Sequence, residues 1–454
     1  MLLTTWLAMV AQWRSAFAQD RSFQRFLGVL LGLLAVRGRT TITSALGFFG
    51  QILHWSSDYR AFSRSEWEER ELFRGVIREA APYLQDAPRV VVSLDDTGLP
   101  KSSRKIRQVS WLRDPLGPKF KVNFVRGLRC LHAILHIPSR VGNLGTTGIS
   151  VGFELAPPPK KPKRSAPLEE WEAFRELQKR QSLTAHGVAM VEALRRDCDD
   201  AGLTQQMLCV VDGGYTNKTL ITQLPDRVDL IGRVRKDIRI CLPARGSSRT
   251  IYGEELPTPE LLRTDGCLIP QVCTCFYGQR DREVRFKEMK GLLWRSGGRR
   301  RLLRLIIVIP TPYRPPGCRK LKYDQPAYLI TTDLETETQV LIQAYLDRWE
   351  IEVIHRDLKT HVGLGQAQVW SEKSVTRLHP ALVAAFAMLR LASMKAFGPT
   401  RTADYHELPR WRSQNDRNGL RRPSAHDILT RLRSDIACQI QQTPLHPREI
   451  HAVA

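Results

Sequence analysis

The sequence is short of acidic residues and has no long hydrophobic run. Asp and Glu number 46 against 69 Lys and Arg, a formal net charge of +23 over 454 residues. A surface that repels polyanions is thereby excluded, and nucleic acid comes before an anionic membrane as the partner. A ribosome-associated or merely basic protein would show the same charge. The longest apolar stretch, FLGVLLGLLAV at 26–36, has 11 residues. That is too short to cross a bilayer and suits a buried helix. The first residues are apolar but lack a basic leader, so neither a signal peptide nor a membrane segment is expected. The nine cysteines are scattered and odd in number. No disulfide framework is implied, and a reducing cytosol is the expected compartment. Cys267, Cys273 and Cys275 form the only cluster, without the paired histidines of a zinc finger, so incidental cysteines in a β-rich segment are preferred to structural zinc. There is no internal repeat. With 42% apolar and 25% charged residues the composition is that of a globular chain, long enough for two or three domains.

The pattern along the chain is that of an α/β protein. Residues 1–85 read as helical. After the stretch at 26–36, Gly38 can make a turn and Thr40 or Thr41 can cap a second helix, a helix-turn-helix pattern that any helical bundle also offers. Residues 86–236 carry two short, fully apolar strand candidates, Val90-Val91-Val92 through Leu94 and Leu208-Cys209-Val210-Val211. Further strands are expected at 120–127 and 130–138, joined by a hairpin turn at Gly127 to Arg129. A Pro/Lys-rich loop at 156–166 precedes a helix from Leu168 to Arg196. Residues 237–337, rich in Gly, Pro and Thr with short β-type runs, read as an inserted β-rich segment. Residues 338–400 read as a helical part: the chain is helical from Glu335 to Lys359 and again over roughly 379–397. Residues 401–454 read as a polar, basic tail.

Three carboxylates stand out. Asp95 ends the first apolar strand, with Asp96 beside it. Asp212 ends the second, followed by two glycines. Glu352 lies on a later helix. A carboxylate at a buried strand end is costly unless a cation or hydrogen bonds compensate it. Two such ends and a helical Glu can converge on a hard cation such as Mg²⁺, although an Asp after a strand is also a common turn residue. In YLDRWEIEVIHRDLK, Tyr345, Arg348, Glu352 and Lys359 fall within roughly a 60° arc of a continuous helix. Ion pairs within an amphipathic helix would explain part of that stripe. A surface for metal and phosphate explains all of it: Arg348 and Lys359 suit phosphates, and Tyr345 suits a phosphate or a base.

The spacing Tyr-x2-Arg-x3-Glu-x6-Lys resembles the signature of a large group of bacterial insertion-sequence transposases, the DDE cut-and-paste enzymes with a YREK motif. LDDTGLPK at 94–101 is similar to the first-Asp block of that group, with Leu99 where Phe is usual. VDGGYTN at 211–217 is similar to the second. The resemblance covers about 90–375. It implies an RNase H-like catalytic core with an inserted β-rich subdomain and an N-terminal helical DNA-binding region. It further implies Mg²⁺, replaceable by Mn²⁺, held by Asp95, Asp212 and Glu352, with Asp96 the rival first ligand. Phosphate or flipped-base contacts would come from Tyr345, Arg348 and Lys359, and Trp294 is a candidate to stack on an extruded base. Implied partners are terminal inverted repeats and target DNA, bound as a dimer, in the bacterial cytoplasm at the nucleoid. The alternatives are a non-catalytic DNA-binding descendant of a transposase and another RNase H-like Mg²⁺ nuclease.

Overall fold

A computed structural model of the protein describes residues 1–49, 55–114, 117–118, 120–139, 145–244, 246, 250–278, 280–314, 319–320, 322–408 and 421–442. Helices α1 (Leu2–Val10), α2 (Asp20–Ala35), α3 (Ile42–Phe48), α4 (Trp55–Ser63) and α5 (Glu69–Ala80) open the chain. The apolar run at 26–36 forms the buried C-terminal part of α2. Gly38 turns the chain at φ +90°, a conformation that costs glycine little. The Thr41 side chain then caps α3 by accepting a hydrogen bond from the Ser44 amide. Gly32 permits α2 and α3 to touch, since a Cβ there would lie 2.8 Å from that of Ala45.

Strands β1 (Val90–Pro100), β2 (Ser110–Arg113), β3 (Phe124–Pro138) and β4 (Thr146–Leu155) follow, then helices α6 (Leu168–Arg180) and α7 (Leu183–Asp200), strand β5 (Met207–Val211), helix α8 (Lys218–Thr222) and strand β6 (Val228–Arg233). Neighbouring strands run in the order β4-β3-β1-β5-β6. β3 is antiparallel to β1 and β4, whereas β5 and β6 are parallel to β1. Two sequence expectations are corrected here. No hairpin forms around Gly127: it is the fourth residue of one continuous 15-residue strand. Gly127 serves packing, because a Cβ there would sit 2.7 Å from the Leu99 carbonyl oxygen. The helix expected from Leu168 to Arg196 is two helices, broken at Gln181, with Ser182 capping the second.

The segment expected to be β-rich contains β7 (Ile240–Pro243), β8 (Tyr252–Glu255), helix α9 (Pro259–Thr264), β9 (Gln271–Phe276), β10 (Asp281–Trp294), β11 (Leu303–Val308), β12 (Pro312–Tyr313), β13 (Lys322–Tyr323) and β14 (Ala327–Thr331). Most of it extends the main sheet. β14 pairs with β6, and the order continues β6-β14-β11-β10-β7-β8, giving a 12-stranded mixed sheet. Cys273 and Cys275 lie on β9 with their sulfurs 3.8 Å apart.

Helices α10 (Thr338–Asp347), α11 (Glu350–Thr360), α12 (Glu372–Phe397) and α13 (Ala425–Gln442) complete the fold. By length and composition α12 could cross a membrane, but 78% of its apolar window is buried in the protein. Around it gather α1, α2, α4, α5 and β4. The N-terminal helices share one continuous hydrophobic core with the sheet. Trp6 Nε1, for example, donates to the Ala385 carbonyl of α12 at 3.2 Å. The expected basic tail is corrected in part: α13 buries Ile428, Leu429, Leu432 and Ile436, at helical spacing, against the N-terminal helices. Asp435 of α13 accepts from the Met1 ammonium and the Leu3 amide, both at 3.1 Å.

Candidate active site

The sheet register brings the first two carboxylates together. β1 and β5 are parallel neighbours with Leu94 opposite Val211, so Asp95 and Asp212 are the next residues at the same end of adjacent strands. Side chains alternate along β1, so Asp95 and Asp96 take opposite faces. Asp96 accepts from Arg129 Nε at 2.9 Å. Asp95 faces α11, and its Oδ1 accepts from the Asp96 amide at 2.8 Å. Burial pushes the Asp95 carboxyl up to about 7, against the opposing Arg348, and Asp212 adds to the rise. The loop after β5 folds around Asp212: its carboxylate accepts from the Gly214 amide at 2.9 Å, and Thr216 Oγ1 donates to its carbonyl at 2.7 Å. The Tyr215 amide also donates to the same carboxylate oxygen, at 3.3 Å, so the turn closes on the acid with two backbone amides.

Glu352 enters from α11. The helix expected to be continuous from Glu335 to Lys359 is interrupted at Arg348 and Trp349. There the amides of Trp349, Ile351 and Glu352 bond to carbonyls three residues back rather than four. The tightened turn leaves Trp349 exposed while Ile351, Ile354 and Leu358 are buried. It also puts Arg348 between two of the acids. Its Nη1 lies 3.5 Å from Asp95 Oδ2 and its Nη2 3.2 Å from Glu352 Oε1, and its guanidinium carbon sits 5.9 Å from the Tyr345 ring centre. Burial raises the Tyr345 hydroxyl, with Arg348 and Arg233 opposing. Lys359, two turns further on, donates from Nζ to Thr97 Oγ1 at 2.7 Å, and burial lowers its ammonium against the pull of Cys130 and Asp95. Asp95, Arg348, Glu352, Tyr345 and Lys359 thus gather on one face of β1, with Asp212 at the neighbouring strand end and the rival Asp96 on the other face.

Several neighbours escaped the sequence reading. Thr97 lies two residues beyond Asp95 and hence on the same strand face, a signal that period-two counting could have caught. His132 stands opposite Asp95 on β3, and its ring centre is 4.9 Å from that of His355 on α11. Burial drives His132 well below its ordinary value and His355 down to about 3, so both are neutral beneath the acids. On the other side of the helix break, Arg422 donates to the Thr146 carbonyl and, at 2.8 Å, to Glu350. Burial works to raise the Glu350 carboxyl, but Arg422 outweighs it and holds the carboxyl below its usual value. No local pattern announces this pair, which ties residues 72 positions apart. A cavity of about 620 Å³ adjoins the Asp212 loop, lined by Gly213, Thr216, Arg233, Arg235, Trp294 and Tyr328. Trp294 is buried, and its Nε1 has no hydrogen-bond partner among the described residues.

Among the described residues, no three His, Cys, Asp or Glu side chains already lie close enough to cage a metal. The donor chemistry nevertheless fits a hard cation: carboxylates only, one of them destabilised by burial, with a guanidinium already placed between Asp95 and Glu352. The cysteines at 267, 273 and 275 take no part in such a site.

Residues 15–252, more than half of the chain, match the family described as DDE superfamily endonuclease. The chain belongs to that family, and membership supports a nuclease of the transposase kind. The matched stretch contains Asp95 and Asp212 and ends before Tyr345, Arg348, Glu352 and Lys359. No curated protein matches the chain.

Proposed function

We propose that the protein is a cut-and-paste DNA transposase of the YREK group, cleaving at the ends of a mobile element and joining the freed 3′-hydroxyls to target DNA. The observation that carries this reading is the meeting of Asp95 and Asp212, at in-register strand ends, with Glu352 through Arg348. The order β4-β3-β1-β5-β6, three antiparallel strands then two parallel ones, supports an RNase H-like core. Residues 237–337 would then be an insertion that lengthens the sheet.

In this reading Asp95, Asp212 and Glu352 hold Mg²⁺ or Mn²⁺. Bound metal supplies Lewis acidity toward the scissile phosphodiester and its leaving oxygen. The chain's own residues grip the strand end. Arg348 presents a planar fork to a phosphate, and Lys359, oriented by Thr97, adds a point charge. The Tyr345 hydroxyl donates a further hydrogen bond. The neutral His132–His355 pair adds no charge beneath the carboxylates. The cavity beside Asp212, with Trp294 and Tyr328 among arginines, has room for one extruded base. The partners would be terminal inverted repeats and target DNA, held by a dimer so that two ends react together, in the bacterial cytoplasm at the nucleoid.

The test is Mg²⁺-dependent cleavage of DNA carrying the element's own ends, by wild type and by Glu352→Gln. Cleavage by wild type alone, leaving 3′-hydroxyls, supports the reading. Specific end binding without cleavage by either protein would favour a non-catalytic binding protein. Equal cleavage by both would place the active site elsewhere.

A further inference from the structure

The hairpin formed by β2 and the outer end of β3 has a composition that no part of the proposed active site uses. Between residues 101 and 126 the chain carries eight Lys or Arg and one acid, Asp114. That acid is engaged at the hairpin's end, where its carboxylate accepts from Asn123 Nδ2 at 3.3 Å. Large apolar side chains stand in solvent here: Trp111 is 66% exposed, Phe124 55% and Phe120 92%.

Register arranges these residues. Trp111 lies opposite Arg126, and Arg113 opposite Phe124. Directly opposed residues share a face, and so do residues two apart on one strand. All four therefore stand on one face as a two-by-two checkerboard of aromatic rings and guanidiniums. The Arg126 guanidinium carbon is 5.8 Å from the centre of the Trp111 ring. Exposed Arg104, Lys105, Arg107 and Lys121 lie nearby in sequence. Continuing along β3, positions 124, 126, 128, 130 and 132 alternate to the same side, and His132 is opposite Asp95. The checkerboard is thus on the carboxylate face of the sheet, with Arg126 six and Phe124 eight residues outboard of His132, or about 20–27 Å along the strand. Buried Leu128 and Leu99 lie between, with Gly365, in the loop after α11, packed on Leu99.

We propose that this hairpin is a binding platform for unpaired DNA, with bases stacked on Trp111 and Phe124 and phosphates paired to Arg113 and Arg126. The inference rests on the reading of the chain as a DNA-processing enzyme and adds to it a second, single-strand site on the same sheet face, outboard of the carboxylates. Exposed rings accept any base face, and alternating cations suit the spacing of a phosphate backbone. A protein partner is disfavoured by the charge, which calls for a polyanion.

The test is fluorescence anisotropy of the full-length protein with an end-labelled oligothymidylate of about 16 nucleotides and with a duplex of equal length. The Trp111→Ala/Phe124→Ala double variant should bind the single strand about tenfold or more weakly, with the duplex affinity changed far less. Trp111→Phe/Phe124→Tyr should retain binding. Both positions are exposed, so circular dichroism and thermal midpoint should stay at wild-type values. Wild-type affinity in the double-alanine variant would overturn the platform even if metal-dependent cleavage is intact. So would an equal loss of affinity for a heparin fragment, which has no bases, or a change in self-association alone with both DNA affinities unchanged.

Discussion

The two ends of β3 are one strand with two fates. From Cys130 to Leu135 it is paired on both edges, to β1 and β4, and from Leu128 to Ile137 all its aliphatic side chains are buried. From Phe124 to Arg126 it pairs with β2, and its rings and guanidiniums face water. At the inner end the buried imidazoles of His132 and His136 are held below their ordinary values by burial. His136 contacts Ser93 Oγ at 2.7 Å, and burial holds its ring down at about 4. The outer end presents its cations without that constraint. Stability therefore concentrates where β3 is sandwiched, leaving the outer end free to evolve as a binding surface.

The contrast can be broken most forcefully from the inside. Ile134→Ala, at a fully buried position, should cost about 2–5 kcal/mol in urea unfolding. A cost below about 1 kcal/mol would mean that the inner end is not the stabilising one. Next comes pH. His136 has a folded value of about 4 against an unfolded value near 6.5. Below pH 6.5 the unfolded chain takes up the proton first, so stability is full above that pH and is lost as pH falls toward 4. His136→Gln should remove about 3 kcal/mol of that loss, read from urea unfolding at both ends of the window. An unchanged pH slope would show that His136 is not held neutral. The smallest effect belongs to the outer end: Phe124→Ala should shift stability by less than about 0.5 kcal/mol. A larger loss would make Phe124 a packing residue and remove the distinction.

The motif-bearing part of the site was legible because its geometry is local. A strand that is apolar on both faces and ends in an acid points to a parallel core strand, and two such strands set Asp95 beside Asp212. Period 3.6 likewise grouped Tyr345, Arg348, Glu352 and Lys359, even though the helix tightens at Arg348 and Trp349. That break carries no Gly or Pro, so nothing in the local pattern marks it. Long-range relations were not legible. Gly127 looked like a turn because its role, letting the Leu99 backbone approach, depends on a strand 28 positions earlier. The joining of β14 to β6 and of Arg422 to Glu350 depends on tertiary register alone. α13 could have been found, since Ile428, Leu429, Leu432 and Ile436 have helical spacing, but its surrounding charge made the segment read as a tail.

The central claim is that Asp95, Asp212 and Glu352 work as one unit. Its most direct test is Mg²⁺-dependent end cleavage by Asp95→Asn, Asp212→Asn and Glu352→Gln, singly and combined. Each single variant should lose cleavage about as completely as the triple, because groups that act together are not additive. Losses that multiply, or a single variant that cleaves at the wild-type rate, would contradict the account.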